Sequence, residues 1–259
     1  MSENGTRRPI RDMPITRLLP NMLTMLSLVS GLTGMRFATQ GKWQEASLAI
    51  VIAAAFDVLD GRVARLLNIA SKFGAELDSL ADLTSFGVAP SFILYLWSLQ
   101  NDANGLGWIA VLAFAACSAL RLARFNTMLE DHTAPAWTKS YFTGVPAPAG
   151  AGLALLPLFL VLEFGPAAQL PVTVLSFWLI IIGALMVSRL PTLSMKGRRI
   201  APVFVAPVMA AACLFVAALV TNPWLTLSVV GIVYIFSIFY GIYSYRKRAQ
   251  REELESDHV

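Results

Sequence analysis

Residues 56–83 read FDVLDGRVARLLNIASKFGAELDSLADL. Asp57, Asp60, Gly61 and Ala64 recur at i, i+3, i+4 and i+7, the period of one helix face. Gly74, Asp78 and Asp82 recur at i, i+4 and i+8 on the next helix. Two antiparallel helices joined by a short turn aim all four carboxylates into one cleft. What surrounds the stretch decides the fold. The chain is 56% hydrophobic and only 14% charged, with a mean hydropathy of +0.64. Soluble domains carry about 25% charged residues. That balance excludes a disordered chain and an ordinary soluble enzyme, and specifies an all-α polytopic membrane protein. Ionisable groups within such segments are costly and face the protein interior or a wet cavity.

Working outward, apolar stretches place approximate helices at 20–37, 44–67, 75–99, 105–127, 145–163, 170–188, 201–221 and 223–245. At about 1.5 Å per residue, each is long enough for a hydrocarbon core of roughly 30 Å. The reading is an N-terminal cytoplasmic or interfacial segment (1–19), one transmembrane catalytic domain (20–245) and a cytoplasmic tail (246–259). Residues 1–19 show no cleavable signal peptide. About eight spans put both termini on one side. Of the 20 Lys and Arg residues, only Arg36 and Lys42 fall in the opposite set of loops. This asymmetry makes the terminal side cytoplasmic. The net charge of +4 is then topology rather than nucleic-acid affinity, and no nucleic-acid partner is expected. Cys117 and Cys213 lie in apolar segments, which argues against a disulfide framework or a zinc site.

Four carboxylates a few ångströms apart repel one another and cannot all stay ionised unaided. Bound divalent cations resolve the conflict. Ligands that are all oxygen favour hard ions, Mg²⁺ first, with Mn²⁺ or Ca²⁺ as the others. Two metals about 3.5–4 Å apart suit displacement at phosphorus. Gly61 and Ala64 leave the helix bare beside the acids, so a planar group can approach the backbone. Arg65 adds a fork for phosphate or ribose oxygens. The plainer alternative is neutralisation by Arg62, Arg65 and Lys72, but salt bridging does not call for small residues on the acid face.

The pattern Asp57-x-x-Asp60-Gly61-x-x-Ala64-Arg65, eight residues, Gly74-x-x-x-Asp78-x-x-x-Asp82 resembles the signature of the CDP-alcohol phosphotransferase family at every constrained position. The resemblance implies a membrane enzyme with a di-metal site. Such enzymes cleave a CDP-linked donor, release CMP and pass the remaining phosphoryl group to an alcohol. It implies that Asp57, Asp60 and Asp78 are metal ligands, and that Asp82 is both ligand and catalytic base. Gly61, Ala64, Arg65 and Gly74 would frame the CDP moiety. It also implies a homodimer and a core of six helices, which leaves the last two outside the chemistry.

The acceptor alcohol is not set by that signature. ELDSLADLTSFGVAPS (76–91), ALRLARFN (119–126), YFTGVPAPAGA (141–151) and SRLPTLSMKGRR (188–199) resemble the branch of the family that uses serine. The expected reaction joins CDP-diacylglycerol and L-serine to give phosphatidylserine and CMP, in one metal-dependent displacement at the cytoplasmic face (of the inner membrane, in a bacterium). Serine's carboxylate needs a cation. Arg121 and Arg124, followed by Asn126, are the candidates, with Arg189 and Lys196 behind them. As a bland alternative, such arginines anchor helix ends at headgroups. Ser85 and Tyr141 are weaker candidates. Asn21 and Thr24 are candidates for hydrogen bonds to the nucleotide, although Asn21 is equally placed to cap a helix after Pro20. The competing readings are the same chemistry on glycerol 3-phosphate or an inositol compound and, from another class, a cation transporter. Transport sites lie nearer the midplane, at broken helices.

This orientation is testable by cysteine accessibility. Labels near positions 102 and 166 should react from outside, and labels near 70, 131, 197 and 250 only from the cytoplasm. External labelling of position 70 would overturn both the orientation and the placement of the acid cleft.

Overall fold

The computed structural model describes residues 18–67, 71–129, 141–188, 191–193 and 205–256. Among them run eight long helices: α1 (Leu19–Thr39), α2 (Trp43–Leu66), α3 (Lys72–Trp97), α4 (Leu106–Leu129), α5 (Ala147–Phe164), α6 (Val172–Val187), α7 (Val205–Thr221) and α8 (Pro223–Ser256). The segments Lys72–Trp97, Leu106–Thr127, Ala147–Phe164 and Pro223–Gly241 are long and apolar enough to cross a bilayer. Val172–Val187 and Ala206–Thr221 are apolar but shorter. Helices α1 and α2 have the length, 21 and 24 residues, but carry the polar side chains of the site. These are the helices of an integral membrane protein.

All eight expected helices are present, with two departures. The fold is not purely helical: Tyr141–Thr143 pairs antiparallel with Pro191–Leu193, tying two inter-helix connections together. The last helix also continues to Ser256 instead of ending with the apolar run. Residues 246–256, RKRAQREELES, consist mostly of good helix formers, so nothing in the sequence stops it.

Small residues determine how closely the first helices approach. The buried side of α1 is Pro20, Thr24, Ser27, Gly31, Gly34 and Ala38, a stripe at spacings of three and four. It lies on Ala46, Ala49, Ile50 and Ala53 of α2. A Cβ on Gly34 would stand 3.1 Å from the Ala46 carbonyl oxygen. With backbones this near, hydroxyls bridge helices where water is absent. Ser27 Oγ donates to the Ala53 carbonyl at 2.9 Å, and Ser85 Oγ donates to the Ser27 carbonyl at 3.1 Å. The α1–α2 connection turns at Gly41, whose φ of +71° lies in the left-handed region that favours glycine.

Helix α3 begins at Ser71, whose side chain accepts from the Gly74 N–H at 3.0 Å. It widens into a π-helical turn at Leu83–Val88, directly after Asp82. Pro90 follows and has no N–H to donate, so the ordinary ladder is interrupted there. Ser91 Oγ donates back to the Gly87 carbonyl at 2.9 Å. At the far end, Asp102 caps the start of α4. Its carboxylate accepts from the N–H groups of Gly107 and Asn104, which hold its pKa below the usual carboxylate range.

Helix α5 is the most enclosed, with Leu153 to Phe159 buried throughout. Helices α4 and α6 pack along each other, and α6 also meets α5. Helix α8 lies against α5, where Trp224 stacks on Phe159 at 6.1 Å between ring centroids, and α7 packs on α8.

Gly31 tests this packing. A Cβ there would come within 2.8 Å of the Ser85 Cα, a backbone atom that cannot rotate away. Gly31→Ala should lower the thermal unfolding midpoint in detergent, by overpacking worth roughly 1–3 kcal/mol. Gly152 meets nothing within 4 Å. Gly152→Ala should be neutral or stabilising, by up to about 1 kcal/mol. Equal midpoints for the two variants would refute the close approach.

Candidate active site

The α2–α3 pair brings the acids together as their spacing predicts. Asp57, Asp60 and Asp78 each offer a carboxylate oxygen, and these oxygens all lie within 4.8 Å of one another. Asp60 is buried, at 5% exposure, while Asp57 and Asp78 are half-buried. Asp82, one turn further along α3, stands beside Asp57 but does not join this trio. The structure thus divides the four acids into a cluster of three and a neighbour. An all-oxygen set with anionic donors, so close together and partly withdrawn from water, matches what a hard divalent cation requires. The three residues fit such an ion.

Thr24 explains how the buried member is held. Its Oγ1 lies 2.6 Å from Asp60 Oδ2 and 3.1 Å from the Pro20 carbonyl. One hydroxyl proton serves one strong bond, and the shorter contact is to the carboxylate. Thr24 is itself 4% exposed. Thr24, expected to hydrogen-bond the nucleotide, here bonds Asp60.

A cleft of about 180 Å³ opens beside the acids. Its walls are Pro20, Asn21 and Thr24 from α1, Asp60, Gly61 and Ala64 from α2, and Ser71, Gly74, Ala75 and Asp78 at the start of α3. Five of the residues expected to hold CDP therefore line one space. The small residues keep it open. A Cβ on Gly74 would stand 3.0 Å from Asn21 Oδ1 and 3.1 Å from Ser71 Oγ. Arg65 is exposed at the rim, with its Nη2 4.0 Å from where a Gly61 Cβ would be. Ser71 was not anticipated. Its signal was legible as a serine three residues before Gly74, in the position that caps a helix.

The two arginines of α4 separate. Arg124 donates from Nη1 to the Val187 carbonyl at 3.1 Å and from Nη2 to the Ser188 carbonyl at 3.4 Å. It satisfies the C-terminal carbonyls of α6, where a cation also meets the negative end of the helix dipole. Arg121 makes no such bond among the described residues, and its charge acts on Asp82, Tyr234 and Asp57. Its Nε is buried without a hydrogen-bond partner. Asn126 is engaged by α3: its Nδ2 donates to Ser79 Oγ at 3.0 Å, joining α4 to the helix of the acids. Ser85 is fully buried in the α1–α3 contact and away from the cleft lining. Arg189, Lys196 and the Tyr141 side chain lie outside the described residues.

Tyr234 was missed altogether. It lies on α8, one of the two helices expected to stand outside the chemistry, within electrostatic reach of Arg121. No local pattern marks it, because the contact depends on how α8 packs against the bundle.

Comparison with known proteins agrees with this geometry. The family model for CDP-alcohol phosphatidyltransferase matches residues 17–188, and a second, CDP-alcohol phosphatidyltransferase 2, matches residues 203–238. The CDP-diacylglycerol–serine O-phosphatidyltransferase of Mycobacterium leprae is 40% identical over 241 residues, 93% of this chain and 80% of that protein. The protein of the same name from Helicobacter pylori strain 26695 is 38% identical over 184 residues, 69% of this chain and 73% of its own length. That from Saccharomyces cerevisiae is 40% identical over 147 residues, 53% of this chain and 52% of its own. With three acids converging between α2 and α3 and a family match spanning α1 to α6, the chain belongs to the CDP-alcohol phosphatidyltransferase family.

Proposed function

We propose that this chain transfers the phosphatidyl group of CDP-diacylglycerol to the hydroxyl of L-serine, giving phosphatidylserine and CMP. The observation that carries the reading is the cleft in which Asp60 and Asp78 stand beside Asn21, Gly61, Ala64 and Gly74. The choice of serine over other alcohols is supported by the names of relatives that match up to 93% of the chain. The active cleft faces the cytoplasm in an eight-span topology, with the acyl chains of the donor remaining in the bilayer.

In this reading the bare backbone at Gly61, Ala64 and Gly74 admits the cytidine nucleotide, and Asn21 hydrogen-bonds it. Arg65 at the rim meets phosphate or ribose oxygens. Two divalent cations, Mg²⁺ or Mn²⁺, held by Asp57, Asp60 and Asp78 would supply charge neutralisation at the pyrophosphate. Thr24 keeps the Asp60 oxygens turned inward. Arg121 receives the serine carboxylate and faces Asp82, so the acceptor hydroxyl falls beside that acid. Asp82 takes the hydroxyl proton, with Asp57 beside it. The serine oxygen bonds to the phosphorus carrying diacylglycerol as the bond from that phosphorus to the CMP oxygen breaks. CMP leaves with the electron pair. The proposed machinery needs no covalent intermediate, so a single in-line displacement is the simpler course.

Chelation by EDTA should abolish CMP release, and Mg²⁺ or Mn²⁺ should restore it. Asp57→Asn and Asp78→Asn should lose metal binding and turnover together, because a neutral amide is a poorer ligand for a hard cation. Asp82→Asn should still bind CDP-diacylglycerol but lose about 10²–10⁴-fold in rate. Full activity in metal-stripped protein would remove the metal reading. Loss of donor binding in Asp82→Asn as complete as in Asp57→Asn would make Asp82 a ligand and place the base elsewhere.

The two arginines should also divide kinetically. Arg121→Ala should raise the KM for serine far more than that for CDP-diacylglycerol. Arg124→Ala should chiefly lower the thermal midpoint, since its bonds are to the end of α6. An unchanged serine KM in Arg121→Ala would demote it to an internal counter-charge.

A further inference from the structure

Arg121 occupies an unusual place. A guanidinium carries five N–H donors, and leaving them unserved in an enclosed site is costly. Its charge acts on Asp82 and Asp57 and on Tyr234. Among the described residues, however, it closes no ion pair or hydrogen bond with any of them, and its Nε is enclosed and unpartnered. The Tyr234 hydroxyl likewise makes no hydrogen bond among the described residues. Two sets of unbonded donors from different helices thus stand within electrostatic reach of each other, next to the acid that would take the acceptor's proton. Both are complementary to a small planar anion.

The helix that supplies Tyr234 is firmly seated. Its Trp224 stacks on Phe159 of α5, Gly231 lets Leu156 approach to 3.0 Å of its Cβ position, and Ile238 is buried in the common core. The Tyr234 ring packs against that core. A residue between Gly231 and Ile238 therefore has little freedom to swing away.

We propose that α8 completes the acceptor pocket, with the Tyr234 hydroxyl and the Arg121 guanidinium forming one carboxylate-binding pair across α8 and α4. Tyr234 is then a specificity-determining residue for an α-amino acid acceptor. The inference rests on the serine reading above and adds to it a residue from the helix expected to lie outside the chemistry.

The test uses the full chain with CDP-diacylglycerol, measuring CMP release with L-serine and with L-serinamide, which lacks the carboxylate. Tyr234→Phe removes the hydroxyl and keeps the ring, so the thermal midpoint and the KM for CDP-diacylglycerol should stay at wild-type values. The KM for serine should rise about tenfold, the low end for one hydrogen bond to a charged group. The constants for serinamide should not move, so the preference for serine over serinamide should shrink by the same factor. An unchanged serine KM overturns the proposal. So does a rise in the KM for CDP-diacylglycerol instead, which would assign the pair to a donor phosphate, or an equal loss with serine and serinamide, which would make Tyr234 structural. Wild-type protein that releases CMP with another alcohol but not with serine would overturn the reading beneath the proposal, and the proposal with it.

Discussion

Three carboxylates held within 4.8 Å of one another in an apolar helix bundle are mutually repulsive and partly cut off from solvent. Like charges at this separation favour neutralisation or separation. The rest of the structure can be understood as what keeps them in place. Asp57 and Asp60 ride on a helix pinned along its length to α1. Asp78 rides on a helix whose first turn is capped by Ser71 and whose later turns are pressed onto α1 and α4. Neither helix can roll away without breaking that packing. The three carboxylates are thereby kept together instead of relaxing into separate salt bridges.

The first helix contributes more than its plain composition suggests. One stripe of small and hydroxylated residues does three different things along its length. At the cleft end, Thr24 bonds Asp60. Midway, the Ser27 hydroxyl bonds the α2 backbone while its carbonyl receives Ser85 from α3. Beyond that, Gly31 and Gly34 admit neighbouring backbones at distances no side chain would allow. The geometry of the acids is therefore coupled to packing more than one helical turn away. Polar residues in α1 make it less apolar than a spanning helix needs to be, and each polar group found in the stripe has an identifiable partner.

Arg121 and Arg124 show how similar residues acquire different roles. They stand three apart on one helix, carry the same charge and were assigned to the same substrate group. Arg124 meets the carbonyls at the end of α6 and is used up there. Arg121 instead lies within electrostatic reach of Asp82, Asp57 and Tyr234, and its Nε meets no acceptor among the described residues. The difference arises from which helix end each guanidinium meets, and that depends on how α4, α6 and α8 sit together.

Legibility follows the range of the interaction. The helices, the four acids and the small residues of the cleft were readable because helical periodicity acts within a few residues and apolar surroundings make a buried acid conspicuous. Even the cap at Ser71 carries a local signal. The widening of α3 after Asp82 was not read, since it arises where Pro90 interrupts the ladder and Ser85 and Gly87 must fit against α1 and α4. The support of Asp60 by Thr24, the grouping of three acids apart from Asp82, the division of the arginines and the arrival of Tyr234 join residues far apart in the chain. By itself, the sequence determined that the acids and the small residues beside them share helix faces, because side-chain type and spacing settle it. Only the tertiary structure decided which of them touch, because helix rotation and depth are set by packing among all the helices at once.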